Sequence, residues 1–513
     1  MQVFFELGAM QKGKVYLVGA GPGRADLITV RGAELIRRAD CIICDKLANA
    51  ALAGLARADA EIVHVPKRIG TGSFTQEQIN KMLVGRASEG KVVVRLKGGD
   101  PCMFGRCSEE MAALAEAGID FEIVPGVTAG IAAGEYAGMM LTDRRYSSQV
   151  TFITGREAED KTESHIDWGW LAKSPGTLVF YMAMGTLEIV AAELTANGMS
   201  EETAAAVVSD ATLPSQQVVK GRICDIAEAC KAKGIGAPAI VVVGAAAEGD
   251  TRFDWLRRRA LFGRGIAATR DAAGNAELSA KIAERGGRAI EFATIAIRPR
   301  TDSSEFLQAL SRFGEYEWVV FTSVNGVRIF FDALAGMGKD ARVFGSAKVA
   351  AVGERTAGRL AEYGVRADFV PAEFTGAKLA MGLAGQANLR GKKVLLLRSD
   401  AASKETAELF EKAGALVEDA AIYETETVRG DAGGLEAEIA RGAVEWVTFA
   451  SPSAVRGFFE QVSSEVLRRG KVKTASIGPV TSEALRGMGV EADIEASEHT
   501  IDGLLDAIEG TYR

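Results

Sequence analysis

The sequence predicts an α/β protein with mainly parallel sheets, on three observations. Short β-branched runs alternate with Ala-, Leu- and Glu-rich amphipathic stretches from end to end. Glycine-bearing turns follow strand-like runs, at Gly19 to Gly23, Gly98 to Gly99 and Gly126 to Gly130. The second half also repeats itself. GIAATR, ending at Arg270, matches KVLLLR, ending at Arg398; EWVVFTSVNGVRIFF, with Trp318, matches EWVTFASPSAVRGFF, with Trp446; and Gly353 matches Gly478. Spacings of 128, 128 and 125 residues are too regular for chance and too long for a solenoid, and predict two similar α/β lobes with a cleft between them.

In order, β-branched or apolar runs predict strands at Lys14 to Val18, Cys41 to Cys44, Val92 to Leu96, Phe121 to Val124, Val150 to Ile153, Leu178 to Tyr181 and Ile240 to Val243. EGDTRFDWLRRRALFG then interrupts the pattern with charge, and a new strand starts at Gly265 to Thr269. This predicts a first domain over 13–250, a linker over 251–262 and a second domain over 263–513. At about 150 residues per domain, the 513 residues leave room for about three compact units, each able to bury a sizeable core.

A hydrophobic content of 48%, with 25% charged residues and 11 prolines, excludes a disordered or collagen-like chain. The net charge of -8 argues against general binding to nucleic acid or anionic membrane, so cations that meet anionic ligands must be gathered locally. No apolar run approaches the roughly 18 residues of a membrane-spanning helix, and MQVFFELGAM lacks the features of a signal peptide, so the expected compartment is the cytoplasm. Residues 1–10 read as a mis-called start or a frayed tail before the first strand.

Six cysteines make no disulfide framework and fit a reducing compartment. Cys41 and Cys44, three apart in a strand, point to opposite faces and cannot share a metal. All six are expected to be small buried apolar side chains. His64, His165 and His499 have no metal-like spacing, and no metal is expected.

The first strand runs into Gly19-Ala20-Gly21-Pro22-Gly23-Arg24, a turn that lets backbone approach a ligand closely. A dinucleotide reading is opposed by Pro22 and by Arg24 where a third glycine belongs, although Asp45 ends the next strand about where a ribose-binding acid is expected. RLKGGDPCMFGR, from Arg95 to Arg106, opens a strand into two glycines, an acid and a proline. Its carbonyls and carboxylate suit a cationic sulfonium better than phosphates, which require N–H donors. The free amides of Val124-Pro125-Gly126-Val127-Thr128-Ala129-Gly130 are suited to hold a small carboxylate.

Together VGAGPG, CDKL, VPKR, RLKGGDPCMFGR, PGVTAG, LTDRRY and LVFYM, in this order over nearly all of residues 13–250, resemble the uroporphyrinogen-III C-methyltransferase family. The resemblance implies a tetrapyrrole-methylase fold of two subdomains with a cleft. It implies transfer of two methyl groups from S-adenosyl-L-methionine to porphyrinogen carbons, giving precorrin-2 for siroheme and cobalamin, with S-adenosyl-L-homocysteine as product. Carried over by motif, Pro22, Gly98, Gly99, Asp100, Met103, Thr128, Ala129, Met182 and Ala211 line the donor site. Asp45 is implied as proton acceptor and Lys67 as proton donor. Arg106 and Arg144 are candidates for substrate carboxylates, in segments that also hold Arg68 and Arg145. Arg24, Cys44 and Asp143 depart from the family pattern, where an acid, an aromatic and a histidine are usual. A homodimer through this domain is the implied assembly.

In the second half, Thr322-Ser323-Val324-Asn325-Gly326 and Gly353-Glu354-Arg355-Thr356 in one lobe face Ser451-Pro452-Ser453 and Gly478-Pro479-Val480-Thr481 in the other. All are good helix caps, and matching N-termini on two lobes place main-chain amides on both sides of a polyanion. Thr322, Ser323, Asn325, Gly326, Ser451, Ser453 and Thr481 are the candidate contacts. With LRGKKVLLLRSD and Ile422-Tyr423-Glu424-Thr425, residues 263–513 are similar to uroporphyrinogen-III synthases. That implies cyclisation of hydroxymethylbilane to uroporphyrinogen III with loss of water, mainly by holding the chain in its closing conformation. Tyr423 is the candidate for assisting hydroxide departure. Two other readings stay open: an NAD-dependent oxidoreductase in the first half, and a non-catalytic tetrapyrrole sensor in the second.

Overall fold

The computed structural model describes residues 12–65, 74–157, 164–400 and 402–512. The chain divides into two compact units: Met1–Arg264 with Arg285–Arg288, and Gly265–Glu284 with Ala289–Arg513.

The first sheet of unit 1 contains β1 (Lys14–Gly19), β2 (Cys41–Asp45), β3 (Glu61–Val65), β4 (Val93–Lys97) and β5 (Asp120–Val124), in the order β3-β2-β4-β1-β5. All four pairings are parallel. Val15, Leu17, Ile43 and Val93 are buried on one face and Val18, Ile42, Val94 and Leu96 on the other, which is why these strands read as nearly unbroken apolar runs. Helices between the strands start at well-formed caps. Thr29 accepts the Gly32 N–H, and Thr75 and Gln78 form a reciprocal capping box.

The second sheet contains β6 (Val150–Thr154), β7 (Thr177–Tyr181), β8 (Ala204–Ser209), β9 (Gln217–Arg222) and β10 (Ala239–Val243), in the order β6-β7-β10-β8-β9. Only β6 and β7 pair in parallel; β7–β10, β10–β8 and β8–β9 are antiparallel. This corrects the expectation of mainly parallel pairing for this sheet. The link 210–216 between β8 and β9 is too short for a crossover helix and closes a hairpin instead. After the second sheet, segment 251–262 packs its Leu256 and Leu261 into the interior, and Trp255 meets Tyr136 edge to face, 4.7 Å between centroids.

Unit 2 contains β11 (Gly265–Ala268), β12 (Arg288–Glu291), β13 (Ile295–Pro299), β14 (Trp318–Phe321), β15 (Lys348–Ala351), β16 (Lys393–Ser399), β17 (Leu416–Thr427), β18 (Trp446–Phe449), β19 (Lys473–Ser476) and β20 (Ile494–Glu495). They form two sheets, β12-β11-β18-β19-β20 and β13-β17-β16-β14-β15. Pairing β11 with β16, β12 with β17, β14 with β18 and β15 with β19 makes the two orders coincide, which is the duplication in three dimensions. Small contacts repeat too: Lys348 lies over the Trp318 ring at 5.6 Å, and Lys473 over Trp446 at 5.3 Å. The lobes are not the two sequence repeats, however. The chain crosses to the second sheet after β12 and returns after β17, so each lobe takes strands from both repeats.

Cys41 and Cys44 lie in clusters on opposite faces of the first sheet, and Cys107 and Cys230 are also buried. Cys102 and Cys224 are exposed, correcting the expectation for those two; both sit in turns between strand and helix. Among the described residues, no group of three or more His, Cys, Asp or Glu could hold a metal, and no helix is long and apolar enough to cross a membrane.

Candidate active site

β1, β4 and β5 are neighbours, so the turns that leave their C-terminal ends meet at one sheet edge, the usual place for a ligand in an open α/β sheet. Gly21 and Gly99 exchange backbone hydrogen bonds, 3.2 Å from Gly21 N to Gly99 O and 2.7 Å in return. Both have positive φ, +79° and +67°. A Cβ on Gly126 would lie 2.3 Å from Gly99 O, so no side chain fits where these turns touch. A Cβ on Gly98 would lie 2.7 Å from Leu47 Cβ, which brings the turn after β2 to the same edge.

Asp100 ties two of these turns together. Its Oδ1 accepts the Cys102 N–H at 2.9 Å and its Oδ2 the Gly126 N–H at 3.0 Å. The carboxylate therefore fixes backbone in both turns. Two of the amides expected to be free are likewise engaged: Gly126 N by Asp100, and Gly130 N by the Tyr181 hydroxyl at 2.8 Å.

The second sheet closes the site from its own loops. Arg24 N donates to Thr212 Oγ1 at 3.0 Å, and a Cβ on Gly23 would lie 3.0 Å from Ala211 O, so the turn holding Pro22 rests on the link after β8. Tyr181, the last residue of β7, meets Thr128 Oγ1 at 2.8 Å through its hydroxyl, and burial pushes its pKa up. Met103 and Ala129 pack against the apolar cluster that contains Tyr181 and Ala211. Met182 follows Tyr181 with φ +56° and is 51% exposed. Phe104, Arg106, Asp210 and Thr212 also have positive φ on these loops, whereas Lys471 is the one further non-glycine case among the described residues. Such conformations cost about 1–3 kcal/mol each and cluster where a site holds them.

The nine donor-site candidates thus lie on loops that converge. The cations disperse more. Arg106 turns its guanidinium onto Glu109, with contacts of 2.7 Å, and lines a separate surface cavity of about 530 Å³ with Phe74, Gln76 and Asn80. Arg145 is held by Asp143, whose carboxyl this pairing lowers to about 2, while Arg144 is exposed. Lys67 and Arg68 lie outside the described residues.

Asp45 ends β2 with its side chain 14% exposed. Its Oδ1 accepts from Arg95, while its Oδ2 has no partner among the described residues. Arg95 is wholly buried and also donates to Ile43 O at 3.2 Å and to Glu110 Oε1 at 3.0 Å. Glu110, equally buried, accepts from Lys97 Nζ at 2.6 Å and from Gln76 Nε2 at 3.2 Å. Motif reading does not single out Arg95, Lys97 or Glu110. The signal that could find them is two cations, two residues apart, in a strand buried on both faces.

In unit 2, the buried Tyr423 reaches Ser323, 2.9 Å from hydroxyl to hydroxyl, and Ser323 caps the helix Val324–Gly336 by accepting the Gly326 N–H at 2.9 Å. Burial pushes the Tyr423 pKa up. Thr322 and Asn325 flank this cap, partly exposed. Ser451 caps the helix Pro452–Phe459 and meets Ser453 at 3.0 Å. Thr481 is only 3% exposed, in the first turn of the helix Pro479–Gly487, so its side chain packs inward. Arg270 and Arg355, both inside the motifs read from sequence, converge on Glu277 at 3.4 Å each.

Residues 14–227 match the family model of tetrapyrrole (corrin/porphyrin) methylases, and residues 276–506 match that of uroporphyrinogen-III synthase HemD. The porphyrin biosynthesis protein HemD of Ruminiclostridium josui is 34% identical over 97% of this chain and 98% of its own length. The uroporphyrinogen-III C-methyltransferase of Methanocaldococcus jannaschii is 45% identical over 45% of this chain and 96% of its own. Among solved structures, the uroporphyrin-III C-methyltransferase of Thermus thermophilus complexed with S-adenyl homocysteine is 32% identical with a TM-score of 0.39, covering 46% of this chain and 93% of its own. On the near full-length likeness and the two family matches, the chain belongs to the family in which a tetrapyrrole methylase is joined to a uroporphyrinogen-III synthase in one polypeptide.

Proposed function

We propose that the chain is a bifunctional enzyme. Its C-terminal unit cyclises hydroxymethylbilane to uroporphyrinogen III with loss of water. Its N-terminal unit methylates uroporphyrinogen III twice, giving precorrin-2 for siroheme and cobalamin synthesis. The observation that supports the methylation reading is the close backbone contact among the turns at Gly21, Gly99 and Gly126, which gathers the three loops at the C-terminal edge of the first sheet, where open α/β sheets bind ligands.

S-adenosyl-L-methionine supplies a methyl group on a sulfonium when bound. The glycine edge fits this donor, with Pro22, Gly98, Gly99, Met103, Thr128, Ala129, Met182 and Ala211 as the holding residues. Asp100 acts indirectly, by fixing the Gly126 turn. Asp45 takes up the proton that the alkylated ring must lose, Lys67 acts as proton donor, and Arg106 and Arg144 meet substrate carboxylates. In unit 2, Tyr423 hydrogen-bonds the departing hydroxide, and the helix starts at Thr322 to Gly326 and Ser451 to Ser453 grip the polyanion with main-chain amides. Cytoplasmic location and a homodimer through the methylase unit belong to the same reading.

Incubating the intact chain with hydroxymethylbilane alone tests the first half of the proposal. Isomer III is expected; isomer I alone, the product of spontaneous closure, overturns the synthase reading. Adding S-adenosyl-L-methionine is then expected to shift the product mass by two methyl groups, and an unchanged mass overturns the methylase reading.

A further inference from the structure

β4 is buried on both faces, yet its sequence Val-Val-Arg-Leu-Lys carries two cations, Arg95 at 0% and Lys97 at 1% exposure. Apolar residues of similar size often match or exceed the stability of a buried ion pair, so stability alone does not explain charge at these positions. Their partners do. Arg95 and Lys97, two apart on one face of the strand, share the single buried carboxylate of Glu110. Lys97 immediately precedes the loop 98–106 and Glu110 lies in the helix that follows it, Cys107–Glu116, so their ion pair staples the two ends of the glycine loop. Arg95 extends the same network to Asp45, on the neighbouring strand.

We propose that Arg95 is the positioning residue of Asp45, holding Oδ1 so that Oδ2 faces the proton released after methyl transfer. The inference rests on the proposed role of Asp45 as proton acceptor. Three donor directions of one planar guanidinium are used at once: Nε to Glu110, Nη1 to the Ile43 carbonyl and Nη2 to Asp45. A lysine offers no such fixed fork, which accounts for arginine here.

In the step served by this geometry, the new bond is carbon to methyl and the broken bond is sulfur to methyl, leaving the alkylated pyrrole cationic. An adjoining C–H or N–H bond then breaks, its electron pair neutralises the ring, and the proton passes to Asp45 Oδ2 and on to solvent. The transfer is driven by the substrate, because a cationic alkylated pyrrole is a strong acid.

The test uses the full chain in four forms: wild type, Asp45→Asn, Arg95→Lys and Arg95→Gln, all of which keep the Lys97–Glu110 ion pair that staples the glycine loop. S-adenosylhomocysteine affinity, kcat and porphyrinogen KM are measured for each. Asp45→Asn is expected to lower kcat at least about 100-fold, the lower range of general acid–base catalysis. Arg95→Gln is expected to lower kcat by about tenfold or more, with KM and S-adenosylhomocysteine affinity within about twofold, and Arg95→Lys to recover part of the loss. If Arg95→Gln keeps wild-type kcat while Asp45→Asn is inactive, the positioning role is overturned and the Asp45 reading stands. If both Arg95 variants lose ligand affinity together with kcat, Arg95 is structural and the inference is equally overturned. An active Asp45→Asn overturns the underlying reading itself.

Discussion

The hydroxyl of Tyr181, at the end of β7, lies 2.8 Å from the hydroxyl of Thr128, on the turn that follows β5. The same oxygen accepts the Gly130 N–H, so one phenol from the second sheet anchors the start of the helix Ala129–Tyr136 beside the glycine edge. Tyr181→Phe leaves a buried hydroxyl and a buried amide without this partner. Stability is expected to fall by about 1–3 kcal/mol in urea denaturation, with weaker S-adenosylhomocysteine binding by calorimetry. Unchanged affinity would show that the phenol braces the fold only.

Gly126→Ala places a methyl group 2.3 Å from Gly99 O, a clash between two backbone segments with no flexible side chain to yield. The expected result is loss of S-adenosylhomocysteine binding with cyclisation of hydroxymethylbilane retained, since that activity is assigned to the other unit. Retained binding would show that the edge tolerates a side chain.

Tyr423→Phe removes the hydroxyl that meets Ser323. Hydroxymethylbilane loses hydroxide with little help, so the rate of isomer III formation is expected to fall only about tenfold, short of the roughly 100-fold usual for a general acid. Methylation of supplied uroporphyrinogen III is expected to be unchanged. Accumulation of isomer I would show that Tyr423 shapes the closing conformation instead.

Burial raises the pKa of Tyr181 and Tyr423 above the ordinary 10.0, and of the Cys41 and Cys230 thiols above 9.0. The Cys44 thiol is pushed up to about 11. These groups are neutral in the folded state at pH values where the unfolded chain has already ionised them, so the unfolded chain binds fewer protons. Their contribution is fully present below the unfolded pKa and is lost as pH rises through the folded one. Urea midpoints are expected to fall as pH is raised from 9 through the range of the tyrosines; a flat profile would contradict the burial of these groups.

Much of this arrangement is legible in the amino-acid sequence. Strands such as Cys41–Asp45 and Val93–Lys97 announce themselves because burial on both faces demands continuous apolar runs. The glycine turns are legible because backbone contact at Gly99 and Gly126 leaves no room for a Cβ. The antiparallel half of the second sheet is not, since the Ala-rich β8 has little strand character and finds its partners only in the folded sheet. The roles of Asp100 and Arg95 are hidden for a related reason. A carboxylate that binds backbone amides and an arginine that holds an aspartate carry the same letters as ligand contacts or surface charge, and only the distances of 2.9 and 3.0 Å around Asp100 tell them apart. The crossing of the chain between the lobes of unit 2 is equally invisible, because a repeat fixes similarity of parts and not which sheet each strand joins.

The most direct test of the central claim is a crystal structure of the intact chain soaked or grown with S-adenosylhomocysteine. The account predicts the ligand against the backbone of Gly21, Gly99 and Gly126, with Met182 and Ala211 on its other side and Asp45 facing the thioether. Density for the ligand at any other place, with that edge filled by side chains, would contradict it.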